Sequence, residues 1–246
     1  MKIKYDDSFY KVLFQPSYKS AKAILDHFSL NFKPESVIDV GCGRGAWLKI
    51  FKEQGTPTLF GLDGPWNNQK KMITKDIEFI STELEKPFKI SRKFDVAICV
   101  EVAEHLSQKV AKSFVKNLTN LSDVIIFGAA SPFQGGVDHL NEKFPSYWAA
   151  IFNSLGYDVY DYFRPTISGN KKVLFFYQQN TFLYVKRKTT KNFLLSKLKF
   201  NPITNYKFMD YYHPLMILRI SKTIKMIKKI KSLISNFVFT FFKINK

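Results

Sequence analysis

Cysteine is scarce in this chain of 246 residues: Cys42 and Cys99 are the two, and neither belongs to a C-x-x-C pair. That excludes a disulfide framework and a four-cysteine zinc site, and it fits a reducing compartment. Long apolar runs are lacking as well. No uncharged stretch reaches the ~18 residues of a membrane span. Met1-Lys2-Ile3-Lys4-Tyr5-Asp6-Asp7 leads into no apolar segment, so no secretion signal is expected and the reading places the protein in the cytoplasm. Acidic residues are nearly missing from the last quarter, where Asp210 alone faces fifteen Lys and Arg after Val185. The net charge of +18 is therefore mostly a property of the tail, because the first 185 residues carry 23 basic and 19 acidic side chains. A near-neutral domain with a basic appendage is implied, and the appendage would draw anionic surfaces.

Hydrophobic residues make up 46% and charged residues 24%, a globular balance. Short apolar runs alternate with helical patterns, the rhythm of strand–helix–strand units. The runs predict strands at Ser36–Val40, Thr58–Asp63, Ile77–Ser81, Phe94–Val100, Val124–Ala129, Tyr157–Phe163 and Thr181–Val185. They are nearly continuous in Val, Ile and Phe, as strands buried on both faces should be. Helices are expected at Tyr18–Phe28, Ala46–Gln54, Gln108–Asn120 and Pro145–Leu155, and a long one from His213-Pro214 onward. The fold class is α/β: a Rossmann-like, doubly wound, mostly parallel sheet of seven strands with a C-terminal basic helical extension. The expected divisions are an N-terminal helical lid at 1–35, the main domain at 36–185, and a basic linker with an amphipathic helix at 186–246.

The most specific local signal is Asp39-Val40-Gly41-Cys42-Gly43-Arg44-Gly45, a buried strand entering a glycine turn that opens a helix. Glycines at alternate positions let the backbone bend tightly and approach a ligand, while the helix start offers unpaired N–H groups. The pattern is G-x-G-x-G, not the dinucleotide G-x-G-x-x-G. Asp39 suits an ammonium group or the loop's own amides better than a pyrophosphate. Asp63, closing the next strand, stands where a ribose diol lies in a doubly wound sheet.

These residues resemble the class I S-adenosylmethionine-dependent methyltransferases. The resemblance implies S-adenosylmethionine as cofactor, held by Asp39, Gly41, Cys42, Gly43, Gly45 and Asp63, with Glu83 and Leu84 beside the adenine. It continues at Phe94–Leu106, which includes Glu101-Val102-Ala103-Glu104-His105, and covers roughly residues 36–185. An Asn/Asp-Pro-Pro-Tyr tetrad is absent, which disfavours amines of nucleobases or glutamine, and the Glu104-His105-Leu106 form instead resembles small-molecule O- and C-methyltransferases, of which O-methylation is the expected reaction. Glu101 is assigned to the cofactor. Glu104 and His105 are assigned to the substrate, although a helix cap and a backbone anchor explain them better than chemistry does.

Gly135-Gly136-Val137-Asp138-His139-Leu140-Asn141-Glu142 and the following Pro145-Ser146-Tyr147-Trp148 crowd hydrogen-bonding groups into a loop after the fifth strand. His139 suits general-base work at neutral pH, so His139, Asp138 and Glu142 are the expected catalytic residues. Gln134, Asn141, Tyr147 and Trp148 are expected at the substrate. The bland alternative has His139 and Asn141 bracing the loop and Glu142 capping the helix at Pro145. No resident metal is expected. The loop and the later Phe176-Tyr177-Gln178-Gln179-Asn180 are similar to a bacterial methyltransferase group tied to surface-polysaccharide modification. That similarity implies a sugar, a capsular-polysaccharide precursor or its phosphate-type modification as the acceptor.

In the tail, Ile220, Ile224, Ile227 and Ile234 recur at helical steps among Lys222, Lys225, Lys228, Lys229 and Lys231. That pattern is a basic amphipathic helix. Residues 214–243 are expected to dock on an anionic membrane surface, at the inner face, the alternative being a helix packed on its own domain or on a second copy of the chain with its lysines solvated. The alternatives are an RNA methyltransferase that grips its substrate with the tail, which the clustering of aromatics at one end disfavours, and a membrane-docking scaffold that no longer turns over.

Overall fold

A computed structural model describes the backbone of residues 7–189 and 200–244. Seven strands form one sheet in the order β3-β2-β1-β4-β5-β7-β6. They are β1 (Ser36–Val40), β2 (Thr58–Asp63), β3 (Ile77–Ser81), β4 (Val96–Val100), β5 (Val124–Gly128), β6 (Tyr157–Tyr160) and β7 (Phe182–Lys186). β1 to β5 run parallel, while β7 is antiparallel to both β5 and β6. The architecture is the Rossmann-like, mostly parallel seven-stranded sheet that the apolar runs imply.

Each central strand is buried on both faces because two helical layers cover it. Val37, Val96, Ile98, Ile126 and Leu183 point to the layer of α1 (Asp7–Ser29) and α2 (Ala46–Glu53). Ile38, Ala97, Ile125 and Phe127 point to the layer of α3 (Ala111–Leu121) and α4 (Pro145–Ser154). Phe114, Val115 and Leu118 form the apolar stripe of α3, at helical spacing and fully covered.

The structure departs from the sequence reading at several ends. The first helix begins at Asp7, not Tyr18, and runs through Pro16, whose carbonyl accepts a 2.8 Å bond from Ser20 Oγ. β4 starts at Val96 because the carboxylate of Asp95 is engaged by the N–H groups of Glu35 and Ser36. β6 stops at Tyr160, since Asp161 takes Arg164 in a two-point ion pair at the start of the short α5 (Arg164–Ile167). A second short helix, α6 (Phe175–Asn180), precedes β7.

The first compact unit extends to Tyr211, beyond the expected boundary at 185. Ile203 N–H bonds the Val159 carbonyl, Arg164 Nη1 the Met209 carbonyl, and Ser146 N–H the Asp210 carboxylate, so much of the expected linker belongs to the domain. Residues 190–199 of that linker lie outside the described residues. The second unit, Tyr212–Lys246, holds the helix α7 (Pro214–Ile244), as the pattern from His213-Pro214 implies. Leu215, Ile217, Leu218, Ile224, Met226, Ile227 and Ile230 are exposed on it. Side chains beyond Lys231 lie outside the described residues, as do Ile234 and the run Phe237–Phe242 on which the amphipathic reading partly rests. No helix among the described residues is long and apolar enough to cross a membrane.

Candidate cofactor cradle and acceptor site

Strand order reverses between β1 and β4, and ligands of doubly wound sheets bind outside the carboxyl ends of the strands at such a point. Both motifs read from the sequence start there. The glycine loop leaves β1, and Glu101–His105 leaves β4.

Gly41, Gly43 and Gly45 have φ of 83°, 54° and 84°, which a side chain would strain. Gly41 is held by close approach too, because Val102 of the post-β4 segment fills the space where its β-carbon would stand. Asp63 knits the loop together: its Oδ2 accepts from Gly43 N–H at 2.7 Å and its Oδ1 from Gly64 N–H at 2.6 Å. Asn67, which the sequence reading missed, bonds the Gly43 carbonyl and accepts from Arg44 Nη1 at 2.6 Å. Cys42 is a buried packing residue whose sulfur lies beside Gly61.

Asp39 is 2% exposed, and its Oδ2 has no hydrogen-bond partner. Burial, then the charge of Asp63, holds its carboxyl well above the usual range. A buried carboxyl oxygen without a partner, beside three glycines whose positive φ disfavours side chains, suits a cation with a compact backbone-like body. The residues fit S-adenosylmethionine. Its ammonium would face Asp39 and its ribose Asp63, and the amides of the loop would meet its carboxylate.

Tyr10 of α1 also belongs to this site, and its position follows from the part of α1 that the sequence reading did not extend far enough to include. Its ring lies against Gly43, its hydroxyl accepts from Trp66 Nε1 at 3.1 Å, and the Arg44 guanidinium lies 4.4 Å from its centroid. Glu83, expected beside the adenine, accepts from Lys86 N–H through its carbonyl at 3.0 Å in a surface turn and pairs with the Lys86 ammonium at 2.6 Å, while Leu84 packs on the α3 side of the core.

Glu101 adopts φ 56°, a left-handed conformation that costs a residue with a side chain about 1–2 kcal/mol. Gln134 Nε2 bonds its carboxylate, Asn180 Nδ2 bonds Gln134 Oε1 at 2.8 Å, and Ser131 Oγ bonds Asn180 Oδ1 at 2.9 Å. This polar relay ties β4, the post-β5 loop and α6 together. Burial, partly offset by Gln134 and Asn180, raises the Glu101 carboxyl to about 7. Asn180 and Ser131 were not singled out from the sequence, though Asn180 closes the run Phe176–Asn180 noted there.

The Glu104 carbonyl accepts from the N–H groups of Leu140 (2.8 Å) and Asn141 (2.9 Å), pinning the post-β5 loop to the post-β4 turn. Its side chain is wholly buried with both oxygens unpartnered. His139 Nδ1 lies 2.8 Å from Glu142 Oε1, which also accepts from Gly135 N–H at 2.6 Å. A carboxylate only accepts, so Nδ1 carries the proton of that bond, and in the neutral ring Nε2 keeps its lone pair. The His105 ring meets that of His139 edge-on, with centroids 4.9 Å apart. Burial, then His139, lowers the pKa of His105. Glu142 therefore orients His139 and does not cap α4, whose first turn is held by Asp210 through the Ser146 N–H and hydroxyl. Asp138 is exposed at φ 54°. Asn141 is buried with both amide atoms unpartnered. Trp148 is placed away from the expected substrate face: its ring is 1% exposed and packs on Phe127 and Tyr147 in the core. Tyr147 stays partly covered, with Lys143 Nζ 5.6 Å from its centroid.

Residues 15–122 match the family model described as a methyltransferase domain. Over 99 residues the chain is 31% identical to a mitochondrial ubiquinone biosynthesis O-methyltransferase of Arabidopsis thaliana, covering 37% of this chain and 30% of that protein. It is 31% identical over 88 residues to an uncharacterised protein of Methanocaldococcus jannaschii, covering 36% and 37%. The chain thus spans about a third of the length of these curated relatives. Among solved structures it resembles an O-methyltransferase family protein from Burkholderia thailandensis (TM-score 0.56, 14% identity, 75% of this chain and 60% of that one). It also resembles human N-acetylserotonin methyltransferase in complex with S-adenosylmethionine (TM-score 0.51, 15% identity, 68% and 51%). At such identities the likeness is one of fold.

Proposed function

We propose that the protein is an S-adenosylmethionine-dependent methyltransferase acting on a hydroxyl oxygen of a polar, sugar-like acceptor, such as a precursor of a capsular or other surface polysaccharide or its phosphate-type modification. The observation that carries the reading is the buried, unpartnered Oδ2 of Asp39 across a positive-φ glycine loop from Asp63. When bound, the cofactor supplies a methyl group on an electrophilic sulfonium. The protein's part is then alignment and handling of a proton.

Asp39 fixes the amino-acid end and Asp63 the ribose, which sets where the methyl must emerge, near the carboxyl end of β4. The acceptor side is the post-β5 loop. There Asp138, Phe133 and Leu140 are exposed, and His139, with Glu142 behind it, lies beside the buried Glu104. The name of the Arabidopsis relative supports oxygen as the methylated atom. The polysaccharide acceptor rests on the likeness of Gly135–Glu142 and Phe176–Asn180 to glycan-modifying methyltransferases. The basic face of α7 supports docking on an anionic membrane surface, where polysaccharide precursors gather.

The test is transfer of labelled methyl from S-adenosylmethionine to fractions of glycan precursors, nucleotide sugars and RNA. Label in a sugar fraction is expected. Label confined to RNA would overturn the acceptor assignment, and cofactor binding without transfer to any fraction would favour a non-catalytic scaffold.

A further inference from the structure

Three side chains from two separate loops meet beyond the ends of β4 and β5. Glu104, His105 and His139 each offer one ligating atom, and the three atoms lie within 4.8 Å of one another. The surroundings are built for a ligand. Glu104 is wholly buried, and neither oxygen of its carboxylate has a hydrogen-bond partner. Burying an ionised carboxylate unpaired costs several kcal/mol, a cost that a cation bound against it would offset.

His139 is prepared from behind. Glu142 takes its Nδ1–H, which fixes the tautomer and makes Nε2 the stronger donor, as carboxylates placed behind metal-bound histidines do. Nε2 lies where a β-carbon on residue 136 would stand, so glycine there leaves room for the ring. His105 is held from the side by the backbone of Val137 and Asp138 and meets His139 edge-on.

The geometry points to a binding site for a divalent first-row transition-metal ion, with Glu104, His105 and His139 as ligands and Glu142 as the carboxylate that orients His139. Two imidazoles and one carboxylate select such an ion over magnesium or calcium, which prefer all-oxygen sets. Three protein ligands leave positions open for oxygens of an acceptor. The catalytic meaning of the site rests on the methyltransferase reading, but ion binding does not. The sequence gives no metal-ligand spacing, and no resident metal is expected from it. In the structure Asp138 is exposed and Glu142 stands behind His139, while the ligands come together only through the fold.

The test uses the full chain, stripped of metal by chelator and titrated with Co²⁺ as a visible-absorption probe, with S-adenosylhomocysteine affinity measured alongside. One Co²⁺ per chain, displaced by Zn²⁺, is expected. Glu104→Gln, which preserves shape and removes charge, should weaken binding by more than tenfold, as should His139→Ala. Glu142→Gln, a partly exposed position, keeps the proposal testable if the buried variants fail to fold, and it should weaken binding about 10–100-fold. Retained S-adenosylhomocysteine binding with no stoichiometric cobalt, or cobalt affinity unchanged in Glu104→Gln and Glu142→Gln, would overturn the metal site and leave the methyltransferase reading intact. Cobalt bound through these residues without S-adenosylhomocysteine binding would support the site and overturn that reading.

Discussion

Val102 occupies the space into which a side chain on Gly41 would project. The loop that would hold the cofactor and the turn that leads to Glu104 and His105 are therefore packed as one piece across the point where strand order reverses. Gly41→Ala combines a positive-φ penalty with a collision, so it should destabilise the protein by about 1–3 kcal/mol in urea titration. Adding Val102→Ala should recover only the part that comes from the collision. Full recovery would show that φ carries no strain there.

Asp39 gives a pH dependence with a definite sign. Its carboxyl is raised by burial and then by Asp63, so the folded protein holds the neutral form. That contribution to stability is complete below the ordinary carboxylate range and is lost as pH rises through the folded value. An ammonium ligand requires the ionised form. Cofactor binding should therefore release a proton and tighten as pH rises, measurable by calorimetry in buffers of different ionisation heat. Asp39→Asn should abolish the proton release. Proton uptake, or none in the native protein, would contradict the placement of the ammonium.

Under the proposed reading His139 acts in turnover, whether its Nε2 takes a proton or holds an ion. His139→Ala or His139→Gln should lower turnover by roughly 10²–10⁴-fold with S-adenosylmethionine affinity nearly unchanged, because the cradle lies on other segments. Parallel loss of cofactor binding and folding would make the residue a loop brace, and near-normal turnover would remove it from the chemistry.

The tail can be tested within the intact chain. Replacing Lys225, Lys228, Lys229 and Lys231 by Glu should cut binding to vesicles rich in anionic lipid by more than about a hundredfold, since each lysine near such a surface contributes about 1 kcal/mol. Methyl transfer to a soluble acceptor should be unchanged. Equal binding of both proteins to neutral and anionic vesicles would contradict docking by charge.

The sheet was legible because β1, β4 and β5 are continuous apolar runs, and the cradle because Asp39, three glycines and Asp63 are close in sequence and each has a local reason to be there. What escaped depends on tertiary contacts. The expected helix starts at Tyr18, yet α1 begins at Asp7, passes through Pro16 and brings Tyr10 to the glycine loop. Asp210 reads as a lone acid in a basic linker, yet it caps α4. His139 was singled out from its loop, but its neighbours Glu104 and His105 come from a different strand end, and no spacing relates them. Trp148 shows the converse: its place beside a polar loop resembled a substrate contact, while its side chain points into the core.

The most direct test of the account is titration of S-adenosylmethionine into the full chain by calorimetry, beside Asp39→Asn and Asp63→Ala. The account predicts one site per chain, lost or strongly weakened in Asp39→Asn and weakened in Asp63→Ala. Absence of binding at high micromolar cofactor, or affinity unchanged in both variants, would contradict it.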